Sequence, residues 1–343
     1  MQARINRGPV VSSSKYLPTY LSQPAQAELD ALTTTRAGLT SQSTMLPAYE
    51  AAGFQSNITE YVPWAASNYQ GLQTQLNKRF SQGFSFQASY TFSKNIDNDT
   101  ADFSASDLDP RRVEDIHNLK GSRALSTLDR RHRFTFGGTY ETPWFKTAHS
   151  WLLRNVVGNY SFSPFYQIES PEHVTAQSKV DSNINGDSAG DRVIYNPKGV
   201  KGTGSGVCVA DTVTGDTCPG LKNSAGDTVA YLAINPNAQY IQAQVGALTT
   251  SGRNTIALPH LNNLDMTATK GLNFGKGRRF EFSVQAYNLL NHHQFIAGQL
   301  HDVAALGSWV GNVLNPSSST FEDWHSTFSS NPRALLLSGK LSF

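Results

Sequence analysis

The chain has 343 residues, a formal net charge of +2, and 16% charged against 10% aromatic residues. This near-neutral balance excludes the strong basic bias of a nucleic-acid-binding surface, and no stretch of about 18 apolar residues is available for a membrane-spanning helix. A mean hydropathy of −0.38 does not exclude membrane strands, which alternate apolar and polar residues and average to ordinary values.

Residues 1–67 are rich in Pro, Ala, Ser and Thr and have weak periodicity, so they read as an irregular segment, the tail of a long loop, with a short helix at 25–32 (AQAELDAL). The opening MQARINRGPV lacks the apolar core of a secretory signal. An exported protein needs one, so the expectation is a piece of a longer chain. From residue 68 onward, period-two alternation takes over. In 70–80, Leu72, Leu76 and Phe80 oppose Gln73, Gln75, Asn77 and Arg79. In 84–93 (FSFQASYTFS), Phe84, Phe86, Ala88, Tyr90 and Phe92 oppose Ser85, Gln87, Ser89, Thr91 and Ser93. Side chains alternate across a strand, so one face is apolar and the other polar. The same pattern marks 133–142, 155–169, 264–274, 279–290 and 333–343, for seven predicted strands.

A soluble sandwich also alternates, so the connections decide. They run short, long, short, long, short, long: 81–83, 94–130, 143–154, 170–263, 275–278 and 291–332. Transmembrane barrels have brief periplasmic turns and long external loops, and each strand is near the ~9–11 residues that a tilted membrane strand needs. The predicted fold class is therefore all-β: an antiparallel meander of about seven long strands with long extracellular loops. The chain end lies on the short-turn side. Phe80, Phe84, Tyr140, Trp144, Phe274, Phe280 and Phe343 then form a periplasmic aromatic girdle.

The sharpest local motif sits in the longest loop, at 181–192 (DSNINGDSAGDR). Alternate oxygen side chains with Gly at the sixth position suit a tight calcium loop. Asp181, Asn183, Asn185, Asp187 and Asp191 are the expected ligands of a structural calcium, although Arg192 stands where a bidentate Glu would. The competing reading is a polar, turn-rich loop needing no metal. Cys208 and Cys218, in the Gly-rich stretch GVCVADTVTGDTCPG, are expected to form a loop disulfide in an oxidising compartment. His292 and His293 read as rim residues, and RRHR (130–133) and DPRR (109–112) as rim or lumen charges pairing with Asp129 and Glu141. KGTGSG (201–206) lacks the order of a phosphate loop. No nucleophile–base arrangement stands out, so no enzyme is expected, and no cofactor beyond the structural calcium.

Five phrases resemble one family closely: NYQGLQTQLNKRFSQGFSFQASYTFSKNID (68–97), DRRHRFTFGGTYETPW (129–144), GRNTIALPHLNNLDMTATKGLNF (252–274), RRFEFSVQAYNLLNHHQF (278–295) and NPRALLLSGKLSF (331–343). They are similar to the Oar-like TonB-dependent receptors, which carry a carboxypeptidase-regulatory-like domain and are abundant in Acidobacteria. The resemblance implies a 22-stranded barrel in the outer membrane of a Gram-negative bacterium, plugged by an amino-terminal domain and energised through a TonB box. This chain has no plug and no TonB box, so residues 68–343 are expected to be only the carboxyl-terminal barrel portion, reaching the TonB complex solely through a region absent here. Expected partners are outer-membrane lipid and the barrel-assembly machinery, with no nucleic acid. Leu335, Leu337, Leu341 and Phe343 match the terminal signal that machinery reads. The family role is energised uptake of an oligosaccharide, peptide or chelate. The alternatives are a complete eight-stranded pore or anchor, with 8–20 supplying the missing strand, and a secreted calcium-binding β-sandwich adhesin.

Overall fold

The computed structural model describes residues 2–99, 112–145, 147–188, 190–207, 220–275, 277–294, 313–327 and 332–343. Seven long strands dominate it: β1 (Ser67–Ser81), β2 (Phe84–Asp97), β3 (His132–Glu141), β4 (Tyr160–Glu169), β5 (Leu261–Gly275), β6 (Arg278–Tyr287) and β7 (Ala334–Ser342). Each pairs antiparallel with its neighbours in chain order, β1 through β7. The turn between β1 and β2 puts both Gln82 (φ 55°) and Gly83 (φ 80°) in the left-handed region, as a two-residue hairpin with the right-handed twist of its strands requires. A Cβ at Gly83 would sit 2.5 Å from the Glu141 carbonyl oxygen of β3, so glycine is needed for packing as well as for φ.

The register turns alternation within strands into two continuous faces. Leu76, Ala88, Phe136, Tyr166 and Leu264 stand in one row across β1 to β5. Pro164, Met266, Ala286 and Leu335 continue the same face to β7. Phe86 stacks on Phe136 with centroids 5.9 Å apart, and Phe84 meets Tyr140 edge-on at 6.4 Å. The opposite face carries the row Gln75, Ser89, Thr135, Gln167 and Asn263. Hydroxyl pairs cross this polar face: Ser89 with Thr135 at 2.5 Å, Thr139 with Ser163 at 3.2 Å and Thr269 with Ser283 at 2.9 Å. A one-residue slip anywhere would move a strand's apolar set to the polar face, so the pattern specifies the register.

Among the described residues, no second sheet of comparable size packs on either face, and β1 and β7 do not pair with each other. The sheet has two open edges. The alternative in which 8–20 supplies an eighth membrane strand does not hold. Thr19–Tyr20 pairs instead with Thr228–Leu232 on the long-loop side, where Leu17 is fully buried. Residues 155–159, expected to begin β4, instead close a turn helix, π-helical over Leu153–Val157, and lead out of it, and β4 starts at Tyr160.

The long connections build a folded cap at one end of the sheet. Residues 2–66 are more ordered than their composition suggests. They contain helices Gln26–Asp30, Arg36–Thr40 and Pro47–Ala51, and they bury Leu17, Leu29 and Leu39. Those leucines join Val11, Tyr231, Ile241 and Ala247 in one core cluster and Val229 and Ala230 in another. A third cluster packs Val174, Val193, Tyr240, Leu258, Leu314 and Trp324. Of the buried apolar side chains described, Ala286 alone comes from β1–β7. Among the described residues the water-excluding core therefore lies in the loops, while the apolar row of the sheet is mostly half-buried and exposed at its edges, at Leu76 and Leu335.

If that row faces lipid, Ala88→Arg should destabilise the protein in phospholipid vesicles by about 2–4 kcal/mol. Gln87→Arg, on the polar face, should stay within about 0.5 kcal/mol. Urea unfolding in vesicles measures both, and equal costs would remove the assignment of faces.

Candidate functional site

The conspicuous polar cluster lies in the cap, around the loop at 181–192. Both Asp181 carboxylate oxygens accept backbone N–H groups, from Asn185 at 3.0 Å and Gly186 at 2.8 Å. Asn185 Oδ1 accepts the Asp187 N–H at 2.8 Å. These bonds curl the chain into the tight loop that its Asn, Asp and Gly residues favour. Asp191 is fully buried and accepts the Ser182 N–H at 2.6 Å and the Asn183 Nδ2 at 3.2 Å.

A second segment, 112–123, presses against this loop. Arg112 binds Asp187 through two nitrogens, with Nη2 to Oδ1 at 2.9 Å, and Arg4 Nε approaches the same carboxylate at 3.4 Å. The Glu114 carbonyl accepts the side-chain amides of Asn183 (2.9 Å) and Asn185 (3.0 Å). The Glu114 carboxylate accepts the Arg192 N–H (3.1 Å), Arg192 Nε (2.7 Å) and the Thr249 hydroxyl (2.7 Å). Gly190 permits the approach, since a Cβ there would lie 2.3 Å from the Arg112 carbonyl oxygen.

All five residues of the calcium expectation are thus brought together. Their carboxylates and amides serve as acceptors and donors for backbone and arginine groups rather than converging on one point. Among the described residues, no group of three or more His, Cys, Asp or Glu side chains is arranged to hold a metal. As it stands the arrangement is an arginine–carboxylate clasp, and a cation at Asp187 would have to displace Arg112. Glu114, missed in the sequence, is its hub. It lies 78 residues from Arg192, and no local spacing signals the pairing. Cys208 and Cys218 lie outside the described residues.

Separate polar contacts tie the cap to the sheet. Arg253 is buried against Asp97, the last residue of β2, donating to its carbonyl oxygen at 2.9 Å and to its carboxylate, and donates to the Ser122 carbonyl at 3.0 Å. Asp129 accepts the Asn95 N–H at 2.6 Å. Arg130 pairs with Glu172 at 2.8 Å, and Arg133 with Glu169 at 2.8 Å. Glu169 and Glu172 are not among the expected partners; β3 and β4 bring Glu169 opposite Arg133. At the other end of the sheet, Leu335, Leu337, Leu341 and Phe343 are exposed on the apolar side of the edge strand β7, with Phe343 93% exposed.

Burial, and then the nearby Glu114, Asp181 and Asp187 charges, push the Asp191 carboxyl well above the usual carboxylate range. A folded-state value raised above the unfolded one favours the folded cap in acid. That contribution is lost as pH rises from the ordinary carboxylate value towards the raised one. Asp191→Asn should therefore raise cap stability at neutral pH and flatten its acid-side dependence, measured as the pH profile of limited proteolysis. Arg192→Ala leaves Glu114 buried without its main partner and should cost about 3–5 kcal/mol, seen as faster cleavage within 170–263. Loss of protease resistance on adding a chelator to the unaltered protein would assign the loop to calcium instead.

A family model described as an outer membrane beta barrel domain matches residues 10–333. No curated protein and no solved structure matches the chain. The two-faced antiparallel sheet, its short turns at one end and its folded cap at the other agree with that match. The chain belongs to the outer membrane beta barrel domain family and resides in the outer membrane of a Gram-negative bacterium.

Proposed function

We propose that the chain forms one wall of a TonB-dependent, Oar-like transporter that takes up a large substrate such as an oligosaccharide, a peptide or a chelate. The observation that carries this reading is that, among the described residues, β1 and β7 are open edges and the polar face carries no second sheet of comparable size. In lipid, unpaired strand edges leave backbone N–H and C=O groups unsatisfied, so a stable barrel needs further strands between them. A wide, plugged barrel supplies both the strands and a filling for the polar interior. The five family-like phrases lie within 68–343, and all seven strands fall there apart from the first residue of β1. On this reading the chain alone is inactive and non-enzymatic, and coupling to the TonB complex runs through another region of the protein.

Deleting the gene should abolish uptake of one substrate class, and a protonophore should abolish the same uptake in the parent strain. Protonophore-insensitive uptake, together with ion conductance by the purified chain alone, would favour a small self-contained pore. On the same reading, Leu335, Leu337, Leu341 and Phe343 are the segment that the assembly machinery recognises. Phe343→Ala should then lower the folded fraction in outer membranes several-fold, read by heat-modifiable gel mobility. An unchanged folded fraction would leave Phe343 as an ordinary membrane-facing residue.

A further inference from the structure

The connection between β3 and β4 is the one short-side link that is not a tight turn. It carries a dense apolar run, Trp144, Phe145, Trp151, Leu152, Leu153, Val156 and Val157, all of it exposed. Exposure of so many large apolar side chains in water is costly, so their position matters.

The helical turn at 151–157 is docked on the periplasmic end of β5. β5 runs past the start of β4, whose first residue, Tyr160, pairs with Lys270. Beyond that point β5 has lost its β4 neighbour, and the turn supplies substitutes. Gly271 N–H donates to the Asn159 carbonyl at 2.9 Å. Asn273 N–H donates to Asn155 Oδ1 at 2.7 Å, and the Asn273 carbonyl accepts Trp151 Nε1 at 3.2 Å. The Asn159 carbonyl and the Asn155 and Trp151 side chains thus complete the ladder that β4 leaves unfinished.

The contacts also fix which side of the sheet the turn occupies. Trp151 packs on Phe274, with centroids 6.4 Å apart. Lys270 Nζ lies 3.8 Å from the Tyr160 ring centroid and donates to the carbonyls of Val156 (3.1 Å) and Gly158. Phe274 and Lys270 share the apolar face with Met266 and Ala268, and Tyr160 shares it with Phe162. The turn therefore continues the membrane-facing surface and does not line the polar interior. Lys270, a charge on this face, is turned onto the turn's own carbonyls and an aromatic ring, as a cation at a membrane boundary requires.

We propose that residues 144–145 and 147–157 form an interfacial anchor whose Trp144, Leu152, Leu153, Val156 and Val157 insert into the phospholipid of the periplasmic leaflet, while Asn155 and Trp151 seal the staggered edge of β5. The occupant is lipid because the patch is continuous with the lipid-facing face of the sheet and lies at its periplasmic rim, where tryptophan and short amphipathic helices settle.

Spin labels test the assignment. With Cys208→Ser and Cys218→Ser as background, labels at Leu152→Cys and Val156→Cys are compared with one at Leu128→Cys in the cap. The full chain, isolated in its outer-membrane form, is placed in phosphatidylethanolamine–phosphatidylglycerol vesicles. Labels at 152 and 156 should collide several-fold more with oxygen than with a water-soluble nickel chelate, and the label at 128 should show the reverse. Nickel accessibility at 152 and 156, or shielding from both reagents by a protein partner, overturns the proposal. If the cysteine variants do not fold, quenching of native tryptophan fluorescence by phospholipids brominated near the headgroup gives the same reading. That quenching should fall in Trp144→Phe and Trp151→Phe, and unchanged quenching overturns it.

Discussion

The requirement that every backbone polar group in lipid find a partner within the protein governs this structure. Hydrocarbon offers no hydrogen bonds, and each unsatisfied group costs several kcal/mol. Strand pairing meets the requirement over most of the sheet, with β2 to β6 bonded on both sides. Where stagger leaves β5 unpaired, Asn155 and Trp151 take over the bonding. Among the described residues the sheet ends at β1 and β7, which do not pair with each other.

The two ends of the molecule solve the burial problem in opposite ways. In the cap, apolar side chains leave water by packing on each other, as in any soluble domain. Tyr231, Leu17, Leu39 and Ile241 are almost fully buried there. In the sheet, apolar side chains remain on the outside, and lipid takes the place of a core. Burial of a leucine or phenylalanine is worth roughly 1.5–3 kcal/mol wherever the apolar surroundings come from. The chain needs no second layer on its sheet because the membrane is that layer. The same logic accounts for Trp151 and Leu152 in the turn, which belong to neither core.

Between these two regimes lies a polar joint. Arg253 reaches from the cap to the end of β2, and Glu114 gathers Arg192, Thr249 and the 181–192 loop. These are buried, charge-assisted contacts. Breaking one side of such a pair is costly because the partner is left in low dielectric, whereas the intact pair contributes modestly. Their consequence is geometric: they hold a large external layer in one position over the ends of the strands. Within this joint, burial and three neighbouring carboxylates push Asp191 towards its neutral form.

The sequence by itself determined the all-β class, the alternation of faces, the short and long connections and six of the seven strand starts to within three residues. Each follows from nearest-neighbour physics: period-two patterning, turn residues and strand length. The start of β4 is the exception. The stretch 155–159 shares the alternation of 160–169, yet folds as a helical turn because the unpaired edge of β5 binds Asn155 and Asn159 there. The motif at 181–192 was likewise legible as a tight loop. What its oxygens bind was not, since Arg112 and Glu114 come from a distant segment that only Gly190 allows to approach. Partners far apart in the chain leave no periodic trace, so the cap, its cores and its charge pairs were decided by tertiary structure alone.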